Sequence, residues 1–349
     1  MYRLKKLPFS INLSTKAINM KLTSAMFALG ELNGVLSSIK DLDIILKYIY
    51  VLEAIESNAI DDYHITKQEV FLRISAVNHN NEMARLTTNY IRAMNISYKD
   101  LLNNGVFDVK LIKSVQHFVE PDNSDFRKIP GLKVFNKLTD EVIYVPPQKE
   151  QSIKNYIDNL LTYTNDIEDD YHPLIKAALI HFQYEAIHPF EKGNGRSGRI
   201  LNVLFLRKKE LLKYPVFNIS KYFNKTKKDY LDLLKDCHND HKKIEQFVFY
   251  YLNAVEVSAN NTIIEIQNLQ KKIDDAKVEI KGKITKLDYQ DFVNHIFKYP
   301  YTKNEIFRSQ LNISRNTASK YLKELVSINI LKQIKVGKEV IYVNKYLST

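Results

Sequence analysis

His188-Pro189-Phe190-Glu191-Lys192-Gly193-Asn194-Gly195-Arg196-Ser197-Gly198-Arg199, near the middle of a 349-residue chain, brings a candidate base, loop glycines and two arginines into one short turn. Glycine lets the backbone approach an anion. The apolar run Ile200-Leu201-Asn202-Val203-Leu204-Phe205-Leu206 that follows is predicted to form a helix whose first amides point at that anion. Arg196 and Arg199 lie three apart and share one helix face. A guanidinium is always charged and binds phosphate oxygens two at a time, which suits a polyphosphate tail. His188, at the front of the turn, is placed to take a proton from an attacking hydroxyl. The stretch reads as a phosphate-handling site.

The same residues resemble the signature of the Fic family, His-x-Phe-x-(Asp/Glu)-Gly-Asn-Gly-Arg-x-x-Arg, and match every fixed position but one. Members of that family mostly transfer AMP from ATP to protein hydroxyls. The resemblance implies a mainly α fold, a Fic-type helical core with a β-hairpin flap. It implies ATP as the donor and a Ser, Thr or Tyr hydroxyl of a protein target as the acceptor. Carried over position by position, His188 becomes the general base and Phe190 anchors the turn. The amides of Gly193, Asn194 and Gly195 form an anion hole, Asn194 orients the phosphates, and Arg196 and Arg199 neutralise the departing pyrophosphate.

The departure is Lys192, which stands where the family carries an Asp or Glu that holds magnesium. Magnesium takes hard oxygen ligands, usually bridging a carboxylate to nucleotide phosphates, so lysine cannot replace that ligand in kind. Three outcomes are open. Lys192 pairs with the phosphates directly, Glu191 swings in as the metal ligand, or nucleotide binds without efficient transfer.

The resemblance extends in order over most of the chain to about residue 260. His172-Pro173-Leu174-Ile175-Lys176-Ala177-Ala178-Leu179-Ile180-His181-Phe182 is a helix-prone apolar run leading into the signature. His181 within it reads as a packed core histidine. Ser220-Lys221-Tyr222-Phe223 and Tyr230 resemble the family's adenine-flanking positions, with plain aromatic packing as the alternative. Lys133-Val134-Phe135, a polar turn from Asn136 to Asp140, and Val142-Ile143-Tyr144-Val145 before Pro146-Pro147 read as a β-hairpin. It resembles the family flap, which aligns a target peptide by strand addition, and the resemblance implies Val142, Ile143 and Tyr144 as docking residues, with a purely structural hairpin as the alternative.

Glu53-Ala54-Ile55-Glu56-Ser57-Asn58-Ala59-Ile60-Asp61-Asp62 is similar to the family's inhibitory helix, (Ser/Thr)-x-x-x-Glu-(Gly/Asn). Ser57 fits, and Asp61 stands where the family glutamate pairs with the second signature arginine, here Arg199. Aspartate keeps the charge but loses a methylene, so its reach is shorter. The other reading is a solvated acidic helix end.

Length and 45% hydrophobic content allow a main core and a smaller domain, divided as 1–110 (N-terminal helices with the inhibitory motif), 111–260 (core), 261–284 (linker helix) and 285–349. No stretch approaches a transmembrane span. The start, Met1 to Pro8, is basic without the apolar core of a signal peptide, so a cytoplasmic location is expected. One cysteine, Cys237, excludes an intrachain disulfide framework and reads as inert, and no zinc-type spacing occurs.

Of the net charge of +11, much sits in residues 262–349, which hold 16 Lys or Arg against 9 Asp or Glu. Ile266, Leu269, Ile273, Ala276 and Ile280 space out an amphipathic helix able to seat a seam on the main domain or on a second copy as a homodimer. The tail beyond resembles a winged helix-turn-helix. Its helices fall at Phe292–Phe297, Lys303–Leu311 and Ser314–Leu325, and its wing strands at Leu331–Val336 and Glu339–Val343. On that fold Arg315, Asn316, Thr317 and Lys320 are the DNA-contact candidates, with protein contact as the alternative. The leading reading is therefore a protein adenylyltransferase. A Fic-like nucleotide sensor acting as a DNA-binding regulator, or a transferase using another nucleotide or phosphoryl donor, stays open beside it.

Overall fold

The computed structural model describes residues 4–75, 81–135, 140–167, 171–281, 283 and 289–347. The N-terminal part contains α1 (Lys16–Ser38), α2 (Leu42–Ile60), α3 (Lys67–Ile74), α4 (Glu82–Asn104) and α5 (Val109–Val119). Polar caps define several of these starts. Thr15 accepts from the Ile18 amide, Thr66 and Glu69 form a capping box, and Asp108 accepts from Leu111. Gly105 closes α4 in the left-handed region at φ 66°.

The middle of the chain adds β1 (Val134–Phe135), β2 (Val142–Tyr144), α6 (Glu150–Asn165), α7 (Pro173–Ile187), α8 (Asn194–Lys208), α9 (Ile219–Lys225) and α10 (Lys227–Asn239). β1 and β2 pair antiparallel as the expected hairpin, Val134 opposite Tyr144 and Phe135 opposite Val142. Positions 136–139 of its turn lie outside the described residues. α7 begins with Pro173 at its first turn, and every later residue of it is buried, so it is apolar all round and forms the centre of the core. α8 packs beside it, buried from Arg196 to Leu206. These two helices make the rigid frame on which the signature turn sits.

α11 (Ile244–Lys281) is a single 38-residue helix. It runs through the boundary expected at 260/261, because its buried face continues without interruption from Phe247 to Ile280. The boundary expected at 110/111 likewise falls inside α5. Ile266, Leu269, Ile273, Ala276 and Ile280 are all buried within this one chain. Cys237 is fully buried, and burial pushes its thiol up to about 12, which leaves it unreactive.

The C-terminal domain is a winged helix-turn-helix: α12 (Tyr289–Lys298), β3 (Tyr301–Thr302), α13 (Asn304–Gln310), α14 (Arg315–Ser327), β4 (Leu331–Val336) and β5 (Glu339–Asn344). The sheet order is β3-β5-β4, all antiparallel, and the short β3 is the one element not legible beforehand. Ser314 caps α14 by accepting from the Thr317 amide. One sheet face, with Tyr301, Ile341 and Val343 and the partly buried Ile334 and Val336, packs on Val51 of α2 and on Val70, Phe71 and Leu72 of α3. The Phe71 and Tyr301 rings stack 6.3 Å apart. Phe71→Ala is expected to cost about 3–5 kcal/mol in urea unfolding. It should also speed amide exchange along residues 42–60, since α2 loses one wall of its packing. Unchanged exchange there would show that α2 does not depend on this contact.

Among the described residues, no helix is long and apolar enough to cross a membrane.

Candidate functional site

α7 ends at His188, whose own backbone is left-handed (φ 48°) and whose amide returns to the Tyr184 carbonyl. The turn that follows is braced from inside. The Asn194 side chain accepts from the Phe190 amide and donates to the Phe190 carbonyl, both at 2.8 Å. Asn194 therefore spends its side chain on closing the loop, and only its backbone is left to meet phosphates. Phe190 is fully buried, 5.4 Å from the Phe126 ring, and lies outside the cavity wall; it anchors the turn rather than touching a nucleotide.

Gly193 starts α8 at φ 78°, and a Cβ there would stand 2.8 Å from the Glu120 side chain. No larger residue fits that angle and that gap. Gly193 to Gly195, at the start of α8, line the cavity described below, at the positive end of the helix dipole.

Three residues that sequence reasoning missed hold the turn from outside. Arg127, buried, donates to the His188 carbonyl at 2.8 Å and to the Pro147 carbonyl, while its amide donates to the Pro189 carbonyl at 2.9 Å. Gln116 donates to the Lys192 carbonyl at 2.8 Å. Glu120 accepts from Arg196 at 2.5 Å. They come from α5 and the segment after it, and no local pattern ties them to the signature.

Both signature arginines are about 1% exposed and partnered by the end of α2. Arg199 donates to the Ser57 hydroxyl at 2.8 Å and to the Ser57 carbonyl at 2.7 Å. Asp61 lies 3.3 Å from Arg196 and 3.8 Å from Arg199. The shortened acid thus sits between the two cations and nearer the first, whereas Ser57 takes the closer contacts to Arg199. Arg196 also stacks its guanidinium 5.4 Å from the Tyr63 ring, and its buried Nη1 has no partner among the described residues. An unpaired buried cationic donor is costly unless an acceptor comes to it, and a phosphate oxygen is such an acceptor.

His188 is half-buried, and burial with the nearby Arg127 charge holds its pKa down to about 4. The Glu185 carbonyl accepts from the imidazole and pulls weakly the other way. Tyr144 donates its one hydroxyl proton to that same carbonyl, with its oxygen 3.4 Å from His188 Nδ1. Acceptors therefore face Nδ1, so the Nδ1–H tautomer is favoured and Nε2 keeps its lone pair as the base. One turn earlier the Glu185 carboxyl is buried, with Oε1 unpartnered among the described residues, and desolvation lifts it to about 7 against the pull of Arg199.

A cavity of about 410 Å³ joins these groups. His188, Glu185, Gly193 to Arg196, Arg199, Asp61, Tyr63 and Tyr230 line it, and Val134, Phe135, Ile143 and Tyr144 of the hairpin close one side. Tyr230 is in the wall with its hydroxyl 2.9 Å from His181 Nε2, and His181 is a buried core residue stacked on Phe223. Tyr222 is not in the wall; its hydroxyl accepts from Asn253 at 2.8 Å, and its ring packs on Tyr250. Of the flap residues, Val142 is exposed, while Ile143 and Tyr144 are buried and face inward.

Position 192 does not supply the carboxylate that would bridge a magnesium ion to a nucleotide. Lys192 and Glu191 are both exposed at the cavity rim, and among the described residues no three His, Cys, Asp or Glu side chains gather as a metal site. Position 192 supplies a cation where the bridge needs a carboxylate, and the Glu191 carboxylate lies beside it at the same rim.

Three family matches run along the chain in order. Residues 19–99 match the Fic/DOC family N-terminal region, 106–206 the Fic/DOC family, and 273–347 the C-terminal domain of the protein adenylyltransferase SoFic-like type. Solved structures share the fold. A Fic family protein from Desulfovibrio desulfuricans aligns with a TM-score of 0.58 at 16% identity, over 98% of this chain and 99% of that one. A Fic domain containing signaling protein from Bacteroides thetaiotaomicron gives 0.57 at 18%, over 71% and 97%. Fic-1 (residues 134–508) from C. elegans gives 0.55 at 15%, over 72% and 74%. The family matches point to AMPylation-type transferase activity, and with the signature turn, the buried arginines and the hairpin in place, the chain belongs to the Fic/DOC family.

Proposed function

We propose that this protein transfers AMP from ATP to a Ser, Thr or Tyr hydroxyl of a protein target. The observation that carries the reading is the convergence of His188, the α8 amides and two buried arginines on one cavity beside the hairpin. The triphosphate lies over the start of α8, with the β- and γ-phosphates at Arg196 and Arg199, and the base lies toward Tyr230 and Leu231. A target segment aligned along the hairpin brings its hydroxyl to Nε2 of His188. The hydroxyl oxygen bonds to the α-phosphorus, the bond from that phosphorus to the bridging oxygen breaks, pyrophosphate leaves, and the proton passes to His188. The ammonium of Lys192, at the rim, adds positive charge on the phosphate side.

Self-labelling with ATP, read as adenylate gain in the intact mass, tests this. His188→Ala is expected to lose about 10²–10⁴-fold in rate, the range a general base supplies. Labelling equal to wild type would sink the assignment. Because His188 in the unliganded protein is held to about 4, it is neutral at ordinary pH. Its acid limb in kcat/KM is therefore expected to centre near pH 4, where protonation removes the base. An acid limb centred near the ordinary histidine value would show that the imidazole is not desolvated as described.

A further inference from the structure

The geometry points to α14 and the β4–β5 wing as a binding face for duplex DNA. Strand alternation separates the two faces of the C-terminal sheet. Ile334, Val336, Ile341 and Val343 face α2 and α3, whereas Leu331, Lys335 and Tyr342 lie on the other face, toward α14. The protein contact of this domain is thus made by one face, and α14 is left outward on the opposite side.

That outward side is basic. Residues 289–347 hold 10 Lys or Arg against 4 Asp or Glu. On α14, Arg315, Asn316, Lys320 and Lys323 are exposed, and Lys335 and Lys338 are exposed on the wing. Lys320 stands 3.9 Å from Glu324; among the described residues, Arg315, Lys323, Lys335 and Lys338 take part in no ion pair. Thr317 is tied to the Ser314 cap, its hydroxyl 2.8 Å from that of Ser314, so it positions the helix start more than it offers a contact.

The kind of partner follows from what this side lacks. The only large apolar residue well exposed in the domain, among those described, is Val340, so there is no aromatic or aliphatic anchor of the sort that protein interfaces use. No exposed aromatic ring offers a stacking platform for single-stranded bases either. What is left is a helix presenting Arg and Asn edges next to a lysine-bearing hairpin, which suits a major groove and its flanking phosphates.

The test is fluorescence anisotropy of a labelled random-sequence duplex with the full-length protein, over a range of salt and without nucleotide. It is independent of any transfer chemistry. Binding is expected in the range of about 10⁻⁴–10⁻⁶ M, weakening linearly in log–log form as salt rises. The exposed triple variant Arg315→Ala/Lys323→Ala/Lys335→Ala should bind at least about tenfold more weakly with a salt slope shallower by up to about three units. Circular dichroism of that variant checks that the domain is still folded. Any of three results overturns the proposal: no duplex binding at low salt, equal binding by a folded triple variant, or tighter binding of a single-stranded RNA of the same length.

Discussion

Replacing Ser57 and Asp61 together by alanine is expected to tighten ATP binding by about ten- to a hundredfold, the worth of one or two hydrogen bonds to a charged group. The reason is competition. Arg199 now spends its donors on the Ser57 hydroxyl and carbonyl, and Asp61 supplies a negative charge 3.3 Å from Arg196 and 3.8 Å from Arg199. Phosphates entering the cradle must displace those partners from arginines that are otherwise sealed from water. Both substitutions remove an acceptor without adding bulk, while Arg196 stays held by Glu120 and Arg199 by the carbonyl of residue 57. Self-labelling should rise with the affinity. Calorimetry of ATP binding is the direct measurement, and Asp61→Ala alone should give the larger part of the gain, since it removes a negative charge beside both arginines whereas Ser57→Ala leaves the Ser57 carbonyl contact to Arg199 in place. An affinity within about twofold of wild type in the double variant would mean that the end of α2 does not oppose the nucleotide.

Lys192→Asp is expected to make labelling depend on magnesium. With lysine in place, labelling should change less than about threefold when magnesium is chelated, because the ammonium already offsets phosphate charge at the rim. With aspartate, a carboxylate–phosphate bridge becomes available, and labelling should rise by at least about tenfold on adding magnesium, as metal stabilisation of developing charge is a large effect. Lys192 is exposed and only its carbonyl is used by the fold, through Gln116, so the change should leave stability within about 0.5 kcal/mol. If labelling by the natural chain vanishes with the chelator, lysine is not standing in for the metal. Glu191→Ala then asks whether the neighbouring carboxylate holds it.

The parts of the molecule legible beforehand are those set by short-range rules. The cap Ser314, the first-turn Pro173, the alternation along β4 and β5, and the apolar run of α7 each specify their element within a few residues. Roles within the site were less legible, because they depend on which neighbour a side chain finds. Asn194 belongs to a phosphate-binding signature, yet its amide closes the loop on Phe190. Tyr144 reads as a docking residue of the hairpin, yet its hydroxyl turns inward to the Glu185 carbonyl beside the base. Tyr222 and Tyr230 look alike in sequence, and only Tyr230 reaches the cavity, since α9 points Tyr222 toward Asn253 and Tyr250.

The sequence by itself determined the chemistry on offer: a histidine, a glycine-permitted turn and two arginines one helical step apart, because spacing of three and left-handed backbone are local properties. It also determined that the metal's carboxylate is replaced by Lys192. Only the tertiary structure decided what those groups are doing before any nucleotide arrives. Arg127, Gln116 and Glu120 grip the turn, Ser57 and Asp61 occupy its arginines, and burial holds His188 neutral. Each of these is a contact between residues far apart in the chain, and the desolvation that gives it force exists only once the helices have closed around it.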